Sequence, residues 1–170
     1  PKNAGGKLAA IAVSGPFGAV KEQSSGLYAQ TLAERGFLTI AFDPSYTGES
    51  GGQPRYVASP DINTEDFCAA VDFLSTLDDV DPERIGILGI CGWGGMALNA
   101  AAMDTRIKAT VTSTMYDMSR VNANGYFDAM DADQRYELRR QLNAQRTLDA
   151  KKGTYELAGG VVDPLPDGAP

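Results

Sequence analysis

The 170-residue sequence contains no histidine, and this absence limits the chemistry that the chain can perform by itself. Imidazole is the group that ordinarily takes and returns a proton near neutral pH when an enzyme cuts a bond through a nucleophile. No other side chain titrates in that range unless its surroundings shift its pKa. A catalytic triad is therefore incomplete within these residues.

Cysteines and long apolar runs are also scarce. The two cysteines, Cys68 and Cys91, are too few for a disulfide framework, and we expect both to be reduced. No apolar run approaches the roughly 20 residues that a membrane-spanning helix needs, and the first residues lack the order of a secretory signal. These observations predict a cytoplasmic protein with no membrane partner.

Basic residues are outnumbered by acidic ones, which gives a formal net charge of −7 and a pI near 4.5. Binding to nucleic acid requires a concentrated basic face, so we predict no nucleic-acid partner. Hydrophobic residues make up 43% of the chain and charged residues 22%. This composition is typical of a globular domain with a real apolar core.

The most informative stretch is a short apolar run that leads into a glycine-rich turn with one thiol at its apex. Residues 85–90 form the run, Cys91 carries the thiol, and an alanine-rich segment at 96–103 follows the glycines. This order predicts a strand, a sharp turn and a helix, the form of a nucleophile elbow. Cys91 is therefore the candidate nucleophile. The alternative is that Cys91, like many free cysteines, is a small buried hydrophobe.

Strands and helices alternate over the first two thirds of the chain. Further apolar runs predict strands at residues 8–13, 37–42 and 107–114. Ser24 or Ser25 can cap a helix that stops at Gly36, and Thr64 can cap a second helix that Asp81-Pro82 ends. The order βαβαβαβ predicts an α/β fold, a three-layer sandwich with a mainly parallel sheet between layers of helices.

Residues 115–170 differ in character from this core. Asn122, Asn124 and Gly125 indicate irregular backbone, and residues 131–152 predict a long polar helix with sparse apolar positions. The tail from Gly159 onward contains no terminating element. We therefore predict a core at residues 1–114, followed at residues 115–170 by a helical, lid-like segment and an unfinished tail.

Several short motifs occur in a specific order along the predicted core. They are Gly15-Pro16-Phe17-Gly18, Asp43-Pro44-Ser45-Tyr46-Thr47-Gly48-Glu49-Ser50, Asp81-Pro82-Glu83-Arg84 and Gly89-Ile90-Cys91. Together they resemble the α/β-hydrolase superfamily, and within it the dienelactone-hydrolase-like branch that uses cysteine in place of serine. The resemblance implies an acyl-transfer site above the carboxyl edge of the sheet. The family's acid and histidine follow two further strands, so this chain resembles a truncated, catalytically incomplete hydrolase.

The chemistry expected at Cys91 is acyl transfer. The N–H groups and the dipole of the following helix favour a thiolate, which could attack an ester, thioester or lactone carbonyl and form an acyl-enzyme. The resemblance assigns the oxyanion donors to the N–H groups of Phe17 and Gly92, since Pro16 has none. We predict a hydrolase with a small-molecule acyl substrate and without a cofactor or metal ion. A homo-oligomer is left open.

Other residues are candidates for lining a substrate pocket, with packing of the lid as the alternative. They are Trp93, Tyr116, Met118, Tyr126, Arg55 and Tyr56. Four acidic residues could also face the cleft, although acids at strand ends more often cap helices or hold loops. These are Glu22, Asp43, Glu49 and Asp117.

Some residues depart from the family's pattern. The elbow usually has a small residue where this chain has Trp93. The indole could project into the pocket, lie in the core, or itself occupy the nucleophile position, which would make the enzyme inactive. Gly15 stands where the family commonly has histidine, and Ala19 where a second glycine is common. Both changes affect the shape of the loop expected to hold the oxyanion.

Two other functions remain open. Residues 92–97 fit the G-x-G-x-x-A fingerprint of a dinucleotide-binding Rossmann-like oxidoreductase, with Asp117 as the candidate ribose-binding acid. That fingerprint usually follows the first strand of its domain, whereas two strand-helix units come earlier here. A non-catalytic binding protein with the hydrolase fold is the second alternative, because the chain contains no histidine.

Overall fold

The computed structural model describes residues 6–157, and its first seven elements alternate between strand and helix. They are β1 (Leu8–Ser14), α1 (Ser24–Glu34), β2 (Leu38–Ala41), α2 (Pro60–Ser75), β3 (Val80–Ile90), α3 (Gly92–Met103) and β4 (Ile107–Ser113). The predicted βαβαβαβ order is therefore confirmed. Two shorter pieces and one long helix follow: α4 (Met118–Asn124), a 3-10 turn (Tyr126–Asp128) and α5 (Ala132–Lys152).

The strands form one parallel sheet in the order β2-β1-β3-β4. β3 lies between β1 and β4, and Ser14 at the end of β1 pairs with Gly89 near the end of β3. Parallel strands end at the same edge of a sheet, so the turn that follows β1 and the turn that contains Cys91 are neighbours. This topology brings the predicted site residues at 15–18 and 89–92 to one place.

The sheet carries an apolar core on each face, because successive side chains of a strand point in opposite directions. One core joins alternate residues of β1 and β3 to α2 and α3, and includes Ala10, Ala12, Ile85, Ile87, Phe67, Val71, Met96 and Ala97. The other lies under α1 and includes Val13, Ala29, Leu88 and Ile90. Helices thus cover both faces, and the predicted three-layer α/β fold is confirmed.

Some predicted helix ends are wrong. Thr64 does not cap α2 but lies buried within it, because the helix already begins at Pro60, whose ring suits a first-turn position with no intrahelical N–H bond. α2 ends at Ser75, and Asp81-Pro82 belongs to β3 instead of terminating the helix. Ser24 and Ser25 are the first helical residues of α1 and follow Gln23, the residue in the capping position.

Asp43, directly after β2, ties together the two loops that leave β1 and β2. Its side chain is only 3% exposed, and it accepts hydrogen bonds from the backbone N–H groups of Lys21 at 2.7 Å and Glu49 at 3.0 Å. The Lys21 ammonium adds an ion pair at 3.1 Å and also contacts Glu22 and Glu49. A Cβ atom on Gly48 would strike the Asp43 carboxylate, so only glycine fits beside it.

The charge of Asp43 is stabilised by these partners. Burial by itself would raise the pKa of the carboxyl group, but the N–H groups of Glu49 and Lys21 and the Lys21 ammonium outweigh burial and hold the pKa below its usual value. The Lys21 pKa is raised by its hydrogen bonds to Glu49, Glu22 and Asp43. Asp43, Glu22 and Glu49 therefore hold loops in this fold, which is the alternative given for acids at strand ends.

The chain divides into two compact units, Pro1–Ser119 and Arg120–Pro170. In the second unit, Asp131 caps α5 through a reciprocal pair of hydrogen bonds with Gln134, and Gly153 ends the helix in the left-handed conformation. The long polar helix predicted at residues 131–152 is thereby confirmed. Asn122 and Asn124, predicted to be irregular, instead lie in α4. The tail predicted from Gly159 lies outside the described residues.

Among the helices of residues 6–157, none is long and apolar enough to cross a membrane.

Asp43→Asn tests the anchoring of the two loops. We expect the free energy of unfolding at neutral pH to fall by about 2 kcal/mol, because one N–H donor must then face the amide NH₂ group and the charge is lost. Glu83→Gln is the matched control, since it removes an exposed carboxylate whose partner is Lys108 at 3.1 Å. The control should cost less than about 0.5 kcal/mol. Urea unfolding measures both, and equal losses would contradict the anchoring role.

The difference in unfolding free energy between the wild type and Asp43→Asn depends on pH with a defined sign. The folded-state pKa of Asp43 lies below that of the unfolded chain, near 3.9, so its contribution is complete above that pH. The contribution is lost as the pH falls through the folded-state pKa. The stability difference between the wild type and Asp43→Asn should therefore shrink in acid, and a constant difference down to about pH 2 would exclude this origin.

Candidate active site

Cys91 occupies a strained backbone position between β3 and α3. Its φ of 58° and ψ of −128° lie in a region that residues with a side chain rarely adopt. Three backbone hydrogen bonds hold it there: the Cys91 N–H donates to Ser113 O at 2.9 Å, and its carbonyl oxygen accepts from Gly94 and Tyr116 at 3.0 and 3.4 Å. The predicted sharp turn is present, and its strain falls on the candidate nucleophile.

The Cys91 side chain is half-buried and touches the apolar cluster beneath α1. Cys68 is also half-buried, but it lies within the helix α2. Burial and then the charges of Glu65 and Asp104 raise the pKa of the Cys68 thiol, which keeps this cysteine protonated. Only Cys91 therefore combines partial exposure with a position at the N-terminus of a helix.

Gly89 allows β3 and α3 to approach closely around this turn. A Cβ atom on Gly89 would lie 2.8 Å from the Cα atom of Gly94 and would also strike the Trp93 carbonyl group. Separations this short do not occur for real side chains, so any larger residue would push the helix away from the strand. The tightness of the turn thus depends on a glycine two positions before Cys91.

Trp93 lies in the core, and two of the predictions made for it are wrong. The residue is in the first turn of α3 and only 2% exposed, so it neither occupies the strained position nor lines an open pocket. Its ring meets the ring of Phe17 edge to face, with centroids 4.5 Å apart. Its Nε1–H finds no hydrogen-bond partner among the described residues.

Gly15 lies closely against Trp93 and the end of β3. A Cβ atom on Gly15 would lie 2.9 Å from the Cβ atom of Trp93 and would strike the carbonyl oxygen of Ile90. The two departures from the family's pattern, at positions 15 and 93, are therefore parts of one packing arrangement. Phe17 completes it, because its ring fills the space that a side chain on Gly92 would need.

The backbone N–H groups of Phe17 and Gly92, the predicted oxyanion donors, are unused within residues 6–157. Neither donates a hydrogen bond to another described atom. Both belong to the turns that meet at the carboxyl edge of the sheet, and the Phe17 ring rests on Gly92. Buried or half-buried N–H groups without a partner are costly, so such a pair is available to an acceptor from a ligand.

A cavity of about 210 Å³ lies beside α3, and Gly92, the residue after Cys91, is part of its lining. Its lining consists of Pro60, Gly92, Gly95, Met96, Leu98, Asn99, Met115, Asp117, Met118 and Ser119. Met118, of the residues predicted to line a pocket, and Asp117, of the four acids that could face the cleft, lie in this lining. The spacing of Gly92, Gly95, Met96 and Asn99 along one helix face was the signal in the sequence that could have found these four residues.

The remaining predicted pocket residues lie elsewhere. Arg55 donates to the carbonyl oxygens of Ser50 and Gly48, so its guanidinium holds the loop that follows β2. Tyr56 is 74% exposed, and Tyr116 contributes its N–H to the turn at Cys91. Tyr126 belongs to the second compact unit, where its role in a pocket stays a prediction.

The glycines at the start of α3 do not form a phosphate-binding turn. In a dinucleotide fingerprint the glycines leave the backbone open for a pyrophosphate. Here a side chain on Gly92 would strike Phe17, and a side chain on Gly94 would lie 2.9 Å from Met115. The sides of Gly92 and Gly94 on which a Cβ atom would stand are filled by the protein, which does not favour the dinucleotide alternative.

The parallel sheet, the helices on both faces and the positive-φ residue between β3 and α3 are those of the α/β-hydrolase fold. More specifically, the chain belongs to the PET hydrolase-like family, whose sequence pattern matches residues 1–138. The resemblance to dienelactone-hydrolase-like α/β hydrolases is thereby confirmed.

Relatives with similar sequences include several bacterial and fungal proteins. The uncharacterized protein PA2218 of Pseudomonas aeruginosa is 66% identical over 98% of this chain and 47% of its own length. YcjY of Escherichia coli is 44% identical over 87% of this chain and 48% of its own length. The thiohydrolase aneE of Aspergillus aculeatus is 35% identical over 61% of this chain and 32% of its own length. The chain thus spans about half the length of the bacterial relatives.

Solved structures give the same fold. The crystal structure of PA2218 superposes with a TM-score of 0.88 and covers 96% of this chain and 53% of its own. The α/β hydrolase GrgF of a Penicillium species, 22% identical, superposes with a TM-score of 0.74 over 91% of this chain and 50% of its own. A protein of Klebsiella pneumoniae assigned as a dienelactone hydrolase, 23% identical, superposes with a TM-score of 0.55 over 68% of this chain and 51% of its own. The last two show the fold alone.

Gly15→Ala and Gly36→Ala together test the packing around Trp93. Both glycines have a positive φ, 106° and 101°, but only Gly15 has atoms where a Cβ would stand. Gly36→Ala should therefore cost about 1–2 kcal/mol of unfolding free energy from its backbone alone. Gly15→Ala should cost roughly a further 1–3 kcal/mol, because the new Cβ atom would strike the Ile90 carbonyl oxygen and the Trp93 Cβ atom. Equal costs in urea unfolding would show that position 15 is not crowded.

Proposed function

We propose that this protein hydrolyses ester, thioester or lactone bonds through an acyl group carried on Cys91. The observation that carries this proposal is the strained backbone of Cys91, directly before the first turn of α3. Strain of this kind costs free energy and persists where it presents a reacting side chain. Membership of the α/β hydrolases and a relative named as a thiohydrolase support the reaction class.

In the first step, the Cys91 thiolate attacks the carbonyl carbon of the substrate. A C–S bond forms, the bond to the leaving group breaks, and the leaving group departs with the bonding electron pair. The N–H groups of Phe17 and Gly92, which donate no hydrogen bond within the described residues, donate to the oxygen on which negative charge develops. One such donor is typically worth a factor of about 10²–10³ in rate.

The second step requires a base that activates water to release the acid. The chain contains no histidine for this purpose, and it spans about half the length of its bacterial relatives. We therefore assign the base and its acidic partner to the remainder of a longer chain. Two free cysteines are consistent with a reducing compartment, so the proposal includes a cytoplasmic location and a small-molecule acyl substrate.

The proposal is tested with the 170-residue chain and p-nitrophenyl acetate, followed by intact mass and peptide mapping. We expect one acetyl group on Cys91, because p-nitrophenolate leaves without a general acid, and we expect that acyl group to persist for lack of a base. The reaction of folded Cys91 should exceed that of the urea-unfolded chain by about tenfold or more, since oxyanion donors act only in the folded state.

Cys68→Ala and Cys91→Ala are the matched variants. The first should keep the acetylation and the second should lose it, because burial raises the pKa of Cys68 and suppresses its thiolate. If Cys91 reacted no faster in the folded chain than in urea, the cysteine would be a packing residue. The non-catalytic binding protein would then be the better description.

A further inference from the structure

We propose that residues 113–116, the segment with which the chain leaves β4, position Cys91 for acyl transfer, and that Tyr28 fixes this segment from α1. This inference rests on the proposed function of Cys91 and names the residues that orient its thiol relative to the oxyanion donors. It is carried by two backbone hydrogen bonds to Cys91, by the positive φ of Thr114 and by a side-chain hydrogen bond between α1 and β4.

The 113–116 segment binds both polar backbone groups of Cys91. The carbonyl oxygen of Ser113 accepts the Cys91 N–H at 2.9 Å, and the Tyr116 N–H donates to the Cys91 carbonyl oxygen at 3.4 Å. The N–H and carbonyl groups lie on either side of the Cα atom, so bonds to both restrict φ and ψ and thereby the direction of the side chain. The backbone conformation of Cys91 is unfavourable by itself, and these bonds help to hold it.

Thr114, in the middle of the segment, is strained as well. Its φ is 48°, and a β-branched residue rarely has a positive φ. Strain of this kind persists where the surrounding structure requires it. Here the chain leaves the sheet while the Ser113 carbonyl group and the Tyr116 N–H group both bind one residue. The Thr114 side chain is exposed, so a substitution at this position acts mainly through the backbone.

The same segment packs closely against the first turn of α3. A Cβ atom on Gly94 would lie 2.9 Å from the Cγ atom of Met115, and a Cβ atom on Gly95 would lie 3.3 Å from the Tyr116 carbonyl oxygen. A side chain at position 94 would therefore push the segment away from the helix. The glycines that follow Cys91 thus allow residues 113–116 to reach it.

Tyr28 joins the segment to α1. Its hydroxyl oxygen lies 2.9 Å from the Ser113 hydroxyl oxygen, a hydrogen bond between residues 85 positions apart. Since the Ser113 carbonyl oxygen binds the Cys91 N–H, the bond from Tyr28 restrains the residue that holds the nucleophile. An exposed hydrogen bond contributes modestly to stability, whereas a displacement of about 1 Å at a reacting group can cost about 10²-fold in rate. We therefore expect Tyr28 to matter more for the reaction than for folding.

The experiment compares two reactions of Cys91, acylation by p-nitrophenyl acetate and alkylation by iodoacetamide, in proteins that all carry Cys68→Ala. In acylation the C–S bond forms and p-nitrophenolate leaves with the electron pair of the broken C–O bond. In alkylation the sulfur bonds to the methylene carbon and iodide leaves with the electron pair of the C–I bond, so no oxyanion forms. Both reactions need the thiolate, but only acylation uses the N–H groups of Phe17 and Gly92. The ratio of the two rate constants therefore reports the position of the thiol.

Thr114→Gly and Tyr28→Phe are the test variants. Glycine adopts either sign of φ, so the segment loses its fixed shape and the ratio should fall by about tenfold. Tyr28→Phe removes one hydroxyl group and should lower the ratio by about threefold or more. The urea midpoint should change little in either variant. At position 114 the relief of strain offsets the freedom of glycine in the unfolded chain, and at position 28 only an exposed hydrogen bond is lost.

Thr114→Asn is the conservative rescue, because asparagine adopts a positive φ more readily than threonine and is less free than glycine. It should keep the wild-type ratio. Phe127→Gly is the matched control for Thr114→Gly, since Phe127 also has a positive φ, 59°, and a fully exposed side chain. Tyr136→Phe, at an exposed tyrosine of α5, is the control for Tyr28→Phe. Both controls should leave the ratio unchanged.

The outcomes separate this inference from the proposed function. If Cys91 is acylated no faster in the folded wild type than in urea, the proposed function fails and the positioning role fails with it. If the wild type is acylated faster but folded Thr114→Gly and Tyr28→Phe keep its ratio, the function stands and the positioning role is overturned. A ratio that falls only together with the urea midpoint also overturns it, and Tyr28→Phe decides the question if Thr114→Gly does not fold.

Discussion

The close approach of β3 and α3 at Gly89 is the constraint on which the rest of the site depends. Because Gly89 places no side chain between the strand and the first turn of the helix, the chain reverses direction within one residue. Cys91 is that residue, and its backbone is strained. The helix then starts at Gly92, with its N–H groups and dipole beside the thiol. A wider turn would place the sulfur elsewhere, away from these N–H groups and the helix dipole.

Two further arrangements keep this turn in place. On one side, Phe17 packs against the Trp93 ring, and Gly15 has no side chain because a Cβ atom there would strike the Trp93 Cβ atom and the Ile90 carbonyl oxygen. On the other side, Asp43 holds the loop that contains Phe17 to the loop after β2 through buried, charge-assisted hydrogen bonds. The loop expected to supply the oxyanion donor is thus fixed by packing at one end and by electrostatics at the other.

Much of the fold could be predicted from the sequence, because strand runs, glycine turns and the polar pattern of α5 are local signals. The start of α2 could not be predicted from the sequence, since Pro60 and Thr64 are both acceptable near a helix start. The fold selects between them because Thr64 is buried. The position of Trp93 was also undetermined, because its environment depends on Gly15, 78 positions earlier in the chain.

The sequence by itself determined the α/β class, the place of the turn at Cys91 and the lack of an imidazole, because each follows from residue type and order along the chain. Only the tertiary structure decided that Trp93 is a core residue, that Asp43 is a structural anchor, and that methionines of α3 and of the segment after β4 share a cavity. These features join residues distant in sequence, and their positions are set by the strand order β2-β1-β3-β4, which brings those segments together.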